Sequence, residues 1–344
     1  MNPSVWNVST YYVDGDTYSD DEGQRVRREL KPVKAMREAL AQGADPNECD
    51  ALFTAIEKGS IGHVQALVKG GAELNRVDED GKAPLYRAVQ YREHAKVDAL
   101  LKGGADVNAE IPSQVEQFRD DEPYTAIPDE PGQTAIMLAA RMGDRPLFDR
   151  LKDAGASMDG VLHAAVIGEK EAAWKKDARM GPFYPHEPMV APLLAEGLDP
   201  NATCDAQFHL YERYNGMGGV GQGGAGYTPL HLCVDSPSIY NAYGLDSARA
   251  LLKAGANPNA QDVAGEAPLH LVENAQMAEV LIEGGADYRL KNHDGQTPQD
   301  TVHNAATKAL YRQRDLHAVA EQTRGEDLAS PEEALSRRSR GRFM

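Results

Sequence analysis

The 344-residue sequence predicts an all-α repeat solenoid, made of stacked helix–turn–helix units with β-hairpin-type finger loops and several long insertions. Three observations carry this. An opening motif, Thr228-Pro229-Leu230-His231-Leu232-Cys233, returns as Ala267-Pro268-Leu269-His270-Leu271-Val272. Weaker copies stand at Ala83-Pro84-Leu85-Tyr86-Arg87-Ala88, Thr134-Ala135-Ile136-Met137-Leu138-Ala139 and Gly160-Val161-Leu162-His163-Ala164-Ala165. A corner glycine recurs at Gly43, Gly71, Gly104, Gly155, Gly197, Gly255 and Gly285. Apolar residues precede each corner by seven, four and three positions, as in Val64/Leu67/Val68, Val97/Leu100/Leu101 and Ala278/Leu281/Ile282. That spacing draws one stripe along a helix.

Each part of the motif has a physical reading. Threonine at a helix start is expected to cap it, its hydroxyl taking an orphan backbone N–H. Proline at the next position forfeits an N–H that has no partner there anyway. The glycine is expected to end the second helix in a left-handed cap, which a Cβ would resist. In the copy before Gly155 the stripe is Phe148 and Leu151, and Lys152 interrupts it. One such hairpin cannot bury its own apolar face, so stability has to come from stacking neighbours.

These motifs resemble the ankyrin-repeat family over roughly residues 33–302. The resemblance implies a unit of about 33 residues, namely a turn, two antiparallel helices and a loop. It implies that fingers and first helices line a concave face that grips partner proteins. It also implies that His163, His231 and His270, which share one place in their repeats, hydrogen-bond within their own turns instead of binding metal.

In chain order, residues 1–24 form a polar, acidic segment whose Asp14-Gly15-Asp16 lacks the later positions of a calcium loop. The solenoid is expected over 25–302, as seven to eight repeats with insertions at 109–131, 169–189, 202–226 and 235–245. Segment 25–47 carries one second helix and suits a capping unit. Segment 109–131 extends a finger. In 169–189 the first part lengthens a first helix, and Pro182, Pro185 and Pro188 then break it. Segment 202–226 extends a second finger, and 235–245 is a smaller insertion between helices. A C-terminal capping helix is expected over 303–325, and a short helix and basic tail over 326–344.

The net charge of −17 disfavours nucleic acid and anionic membrane as partners and favours a protein with a basic surface. Three cysteines, Cys49, Cys204 and Cys233, with no CxxC pair, suggest a reducing compartment, and the cytoplasm is the expectation. Gly216, Gly218 and Gly221 match GxGxxG, but a polar loop precedes them where a dinucleotide site needs a strand. Cys204 and His209 are too few for a zinc site. No cofactor, metal or catalytic residue is expected. The expected function is a non-catalytic protein-binding module. Its anchors would be Phe118, Tyr124, Phe208, Tyr211, Tyr214 and Tyr227, with Asp120, Asp121 and Glu122 steering a basic partner. A narrower reading is an immunity protein or antitoxin-like inhibitor masking a toxin's basic active site. A third is an enzyme with its site in the insertions.

Overall fold

The computed structural model describes residues 31–112, 132–177, 186–203, 226–234 and 244–328. They fall in two compact units. The first is Met1–Leu198 with Ala202–Ala225, and the second is Asp199–Asn201 with Gly226–Met344. Among the described residues there is no strand, and one isolated antiparallel bridge joins Glu110 to Thr134.

The first unit contains α1 (Lys31–Ala41), α2 (Ala51–Glu57), α3 (Ile61–Lys69), α4 (Pro84–Gln90), α5 (His94–Gly103), α6 (Ala135–Arg141), α7 (Arg145–Asp153), α8 (Val161–Asp177) and α9 (Val190–Ala195). First helices pack in the series α2, α4, α6, α8, and second helices in the series α1, α3, α5. The second unit contains α10 (Pro229–Val234), α11 (Leu245–Lys253), α12 (Pro268–Leu271), α13 (Ala275–Glu283), α14 (Pro298–Thr301) and α15 (Ala305–Leu328). There α10, α12 and α14 form one layer and α11, α13 and α15 the other.

All seven corner glycines have positive φ, from +87° to +96°, where a Cβ is strained. The stripes before them divide by depth. Val64, Leu67, Val97, Leu100, Ala248, Leu251, Ala278 and Leu281 are fully buried. The third member, at Val68, Leu101, Leu194, Leu252 and Ile282, is only half-buried. Lys152 takes that rim position, exposed, and its ammonium pairs with Glu196. The interruption therefore removes no core contact, because Phe148 and Leu151 supply the two buried places.

The capping expectation fails at Thr134, whose hydroxyl accepts no helix amide. Elsewhere the side chain three residues on takes the amide of the cap residue itself. Nδ1 of His231 accepts the N–H of Thr228 at 3.1 Å and lies 2.8 Å from its hydroxyl. Asp300 does the same for Thr297, at 2.9 and 2.7 Å. This is the return half of a capping box. In α6 the third position is Met137, which has nothing to offer, and the buried Thr134 hydroxyl is left without a partner.

Candidate interaction surface

Three side-chain devices set the finger side. The first is a turn frame. Oδ1 of Asp78 accepts from the N–H groups of Asp80 and Lys82 at 3.0 and 2.9 Å. Asp262 holds Ala264 and Glu266 in the same way, and Asn292 holds Asp294 and Gln296. Gly81, Gly265 and Gly295 close these turns at positive φ. Such carboxyl-to-backbone bonds rigidify a loop that has no ladder of its own.

The second device is the histidine. Because Nδ1 of His231 accepts, its Nε2 carries the proton and donates to the Glu266 carbonyl, 3.1 Å away in the following finger. His270 repeats this, with Nδ1 on Ala267 N–H and Nε2 3.2 Å from the Gln296 carbonyl. Burial holds the His231 imidazole below its ordinary range, against the pull of the Glu266 carbonyl and Asp262. These histidines are structural ties, and no group of three metal-binding side chains occurs among the described residues.

The third device is an asparagine ladder. In the first unit Oδ1 of Asn47, Asn75 and Asn108 accepts the N–H of Glu73, Asp106 and Ser157, each at 2.8 Å. In the second unit Asn201 and Asn259 accept from Asn257 and Asp287 at 2.7 Å. Each residue sits four positions after a corner glycine and ties its loop to the next.

In the first unit the Asp78 finger also receives Arg87 of α4. Its guanidinium bonds Asp78 at 2.6 Å, Asp80, and Gln90 at 3.1 Å. Burial opposes the charge there, but the two aspartates outweigh it and keep Arg87 firmly protonated. Among the described residues of this unit, Val77 beside this finger and Tyr91 at the end of α4 are the exposed large apolar side chains, at 42% and 44%. In the second unit Val263, inside a finger turn, is 63% exposed. These three were missed in the sequence. The available signal was an apolar side chain within an otherwise polar turn.

The first helices differ in what they leave open. Phe53 and Thr54 of α2, and Arg87 and Gln90 of α4, stay partly accessible. Every residue of α6 is buried, as are the first eight of α8. Arg141 at the end of α6 is buried against Glu171 of the lengthened α8. The expected lengthening of that helix is present as far as Asp177.

Of the expected anchors, Phe118, Asp120, Asp121, Glu122, Tyr124, Phe208, Tyr211 and Tyr214 lie outside the described residues, as do Gly216, Gly218, Gly221, Cys204 and His209. Tyr227 is described. It is 9% exposed, and its ring stacks on His231 at 5.1 Å between centroids, so it packs within its own repeat. The base of the 109–131 insertion is also described. Ile111, buried, donates to the Gln133 carbonyl at 3.1 Å and accepts from Gly132 N–H at 2.8 Å.

Rigid fingers on stacked helical hairpins define a repeat scaffold. The particular repeat follows from the comparisons. The family model for ankyrin repeats in three copies matches residues 30–111, and the single ankyrin repeat matches 225–263. The chain is an ankyrin-repeat protein. It is similar to rabankyrin-5 of Mus musculus, 43% identical over 83 residues that cover 22% of this chain and 7% of that protein. It is also similar to protein fem-1 homolog CG6966 of Drosophila melanogaster, 48% identical over 54 residues, covering 14% of this chain and 8% of that one. The chain thus spans less than a tenth of the length of these curated relatives. The ankyrin repeat domain of human ASB11 matches with a TM-score of 0.50 at 20% identity, covering 76% of this chain and 96% of that one, which is a likeness of fold. Ankyrin repeats are general protein–protein interaction modules, and proteins built from them are typically non-catalytic.

Proposed function

We propose that this chain binds a partner protein through its fingers and the accessible first helices of its N-terminal repeats, with segment 109–131 as the principal contact. The observation that carries this is the pinned base of that segment. The Glu110–Thr134 bridge and the paired bonds of Ile111 with Gly132 and Gln133 hold its two ends together, which supports reading it as an extended finger. The buried state of α6 supports the same choice, since that helix has no side chain left to offer. Phe118 and Tyr124 would anchor the partner, and Asp120, Asp121 and Glu122 would steer its basic groups. The test replaces residues 113–131 by a two-residue turn, leaving Ile111 and Gly132 in place, and compares partner capture with the intact protein. Loss of one specific protein supports the reading, and an unchanged catch overturns it.

The net charge of −17 favours a narrower form in which the partner's bound surface is basic, as an inhibitor of a toxin would require. Its mark is an association rate that falls steeply between low and physiological salt.

A further inference from the structure

The foot of the fourth finger can be set beside three others. In those three the first residue of the turn donates its N–H to the carbonyl of the residue four on: Asp78 to Lys82 at 3.1 Å, Asp262 to Glu266 at 3.0 Å and Asn292 to Gln296 at 2.9 Å. Ile111 donates to the Gln133 carbonyl in the same way, at 3.1 Å, across the whole 109–131 insertion. The bond is kept, but its supports are not. Asp78, Asp262 and Asn292 each frame their turn with a side-chain oxygen that accepts two amides. Ile111 brings no acceptor to that place and buries its side chain instead. His231, His270 and Asp300 each accept the N–H of the cap residue of their helix. The fourth repeat has Met137 at that position.

Two buried side-chain atoms lack a hydrogen-bond partner among the described residues, and both belong to this foot: Nε2 of Gln133 and Oγ of Thr134. Their residues are 1% and 5% exposed. The Tyr86 hydroxyl donates to Oε1 of Gln133 at 2.8 Å, which fixes the carboxamide and leaves its Nε2 buried with nothing to donate to. Closing the foot therefore buries Ile111, which favours the closed state, and strands two polar groups, which opposes it; the two effects are of the same order. Parting the foot gives both groups to water. Helix α6 behind it has every residue buried in the stack and is held without the foot.

We propose that residues 110–111 and 132–134 form a joint that opens by itself, breaking the bonds of Ile111 with Gln133 and Gly132 while α6 and the helices around it stay folded. The described state is the closed one. The joint is a property of the unbound chain and does not rest on the binding reading. A partner that contacts this foot meets two states of it, where the framed fingers offer one.

The test is hydrogen exchange on the full chain without any partner. It reads protection factors at the amides of Ile111 and Gly132, with Asp78, Asp262 and Asn292 as their framed counterparts. A stranded buried group shifts the opening equilibrium by about tenfold, so Ile111 and Gly132 are expected to be about a hundredfold less protected than the framed amides. Thr134→Val keeps the shape of the side chain and removes a hydroxyl that accepts no helix amide. It is expected to raise protection at Ile111 and Gly132 by about tenfold and to leave Asp78, Asp262 and Asn292 unchanged. Wild-type Ile111 and Gly132 amides protected as well as the framed ones would overturn the proposal without recourse to a variant. So would unchanged or lower protection at Ile111 and Gly132 in Thr134→Val; a lower value would mean that a bound water satisfies the Thr134 hydroxyl and ties the foot shut.

Discussion

Gly168→Ala puts one methyl group where α8 passes α6. The three atoms nearest to a Cβ at that position are the carbonyl oxygen, carbonyl carbon and Cα of Arg141, all of them backbone and all within clash distance. No rotamer change can relieve this, so the helices have to separate. Helix propensity alone would make the substitution favourable by about 0.5–1 kcal/mol. Overpacking a close contact costs about 1–3 kcal/mol. Separation also strains the ion pair of Arg141 with Glu171, whose loss in a buried site carries a penalty of the same order or larger. The net expectation is a destabilisation of about 2 kcal/mol, or about 4–8 °C on the transition that melts the first unit. Gly62→Ala in α3 is the control. It gains the same propensity, and its Cβ meets side chains alone: the two methyls of Val33 at 3.2 Å, which can give, and Ser60 Oγ at 3.6 Å in ordinary contact. Thermal melts of the two variants beside wild type decide the matter. If Gly168→Ala is as stable as Gly62→Ala, α6 and α8 are not in backbone contact and the buried state of Arg141 needs another cause.

Acid should weaken the fold from about pH 6.5 downward. Burial lowers the pKa of both His63 and His231, so the unfolded chain binds their protons first; stability is whole above about 6.5 and falls below it, by up to about 1.4 kcal/mol per pH unit for each. Urea denaturation at pH 7.5 and 5.5 measures this, and a midpoint that does not fall refutes the sign. Asn75→Ala removes one rung of the ladder; because the amide it leaves is water-accessible, the cost should be about 0.5–1 kcal/mol, seen in the same urea curves. Tyr227→Ala should lower stability by about 3 kcal/mol whether or not a partner is present, whereas Tyr91→Ala should leave stability within about 0.5 kcal/mol. A Tyr227→Ala protein that melts like wild type would return that ring to the list of surface anchors.

The corners and stripes were legible because each is decided by a residue and its near neighbours. Gly104 is left-handed for reasons local to one turn, and Val97 and Leu100 share a face because a helix repeats. What could not be read was pairing at a distance. The acceptor role of Asn75 depends on Asp106, in the next repeat. His231 had an expected place in its own turn, and its second bond, to Glu266, crosses into the following finger. Threonine was given the capping role because a hydroxyl is the usual acceptor, whereas His231 and Asp300 accept the backbone N–H of the threonine itself. The return of His186 to the Arg141 carbonyl left no periodic trace, since the two stand 45 positions apart. Tyr227 was grouped with the surface anchors because aromatics are enriched at hot spots, and its stacking on His231 is a tertiary fact.

Area argues for the role of segment 113–131. A stable interface needs about 800 Å² from each partner. Among the described residues of the first unit the exposed large apolar side chains are Val77 and Tyr91, each less than half accessible. Together they offer about 150 Å², taking roughly 200 Å² for a whole tyrosine and less for valine. Phe118 and Tyr124 would add about 400 Å² if a partner covers them, bringing the apolar share near what a standard interface holds. The affinity should therefore follow the insertion. Replacing 113–131 by a short turn should cost at least a hundredfold in Kd by calorimetry, while Val77→Ser and Tyr91→Ala together cost tenfold or less. The opposite ranking would move the contact onto α4 and its finger, and the aromatics of the insertion would then have no part in binding.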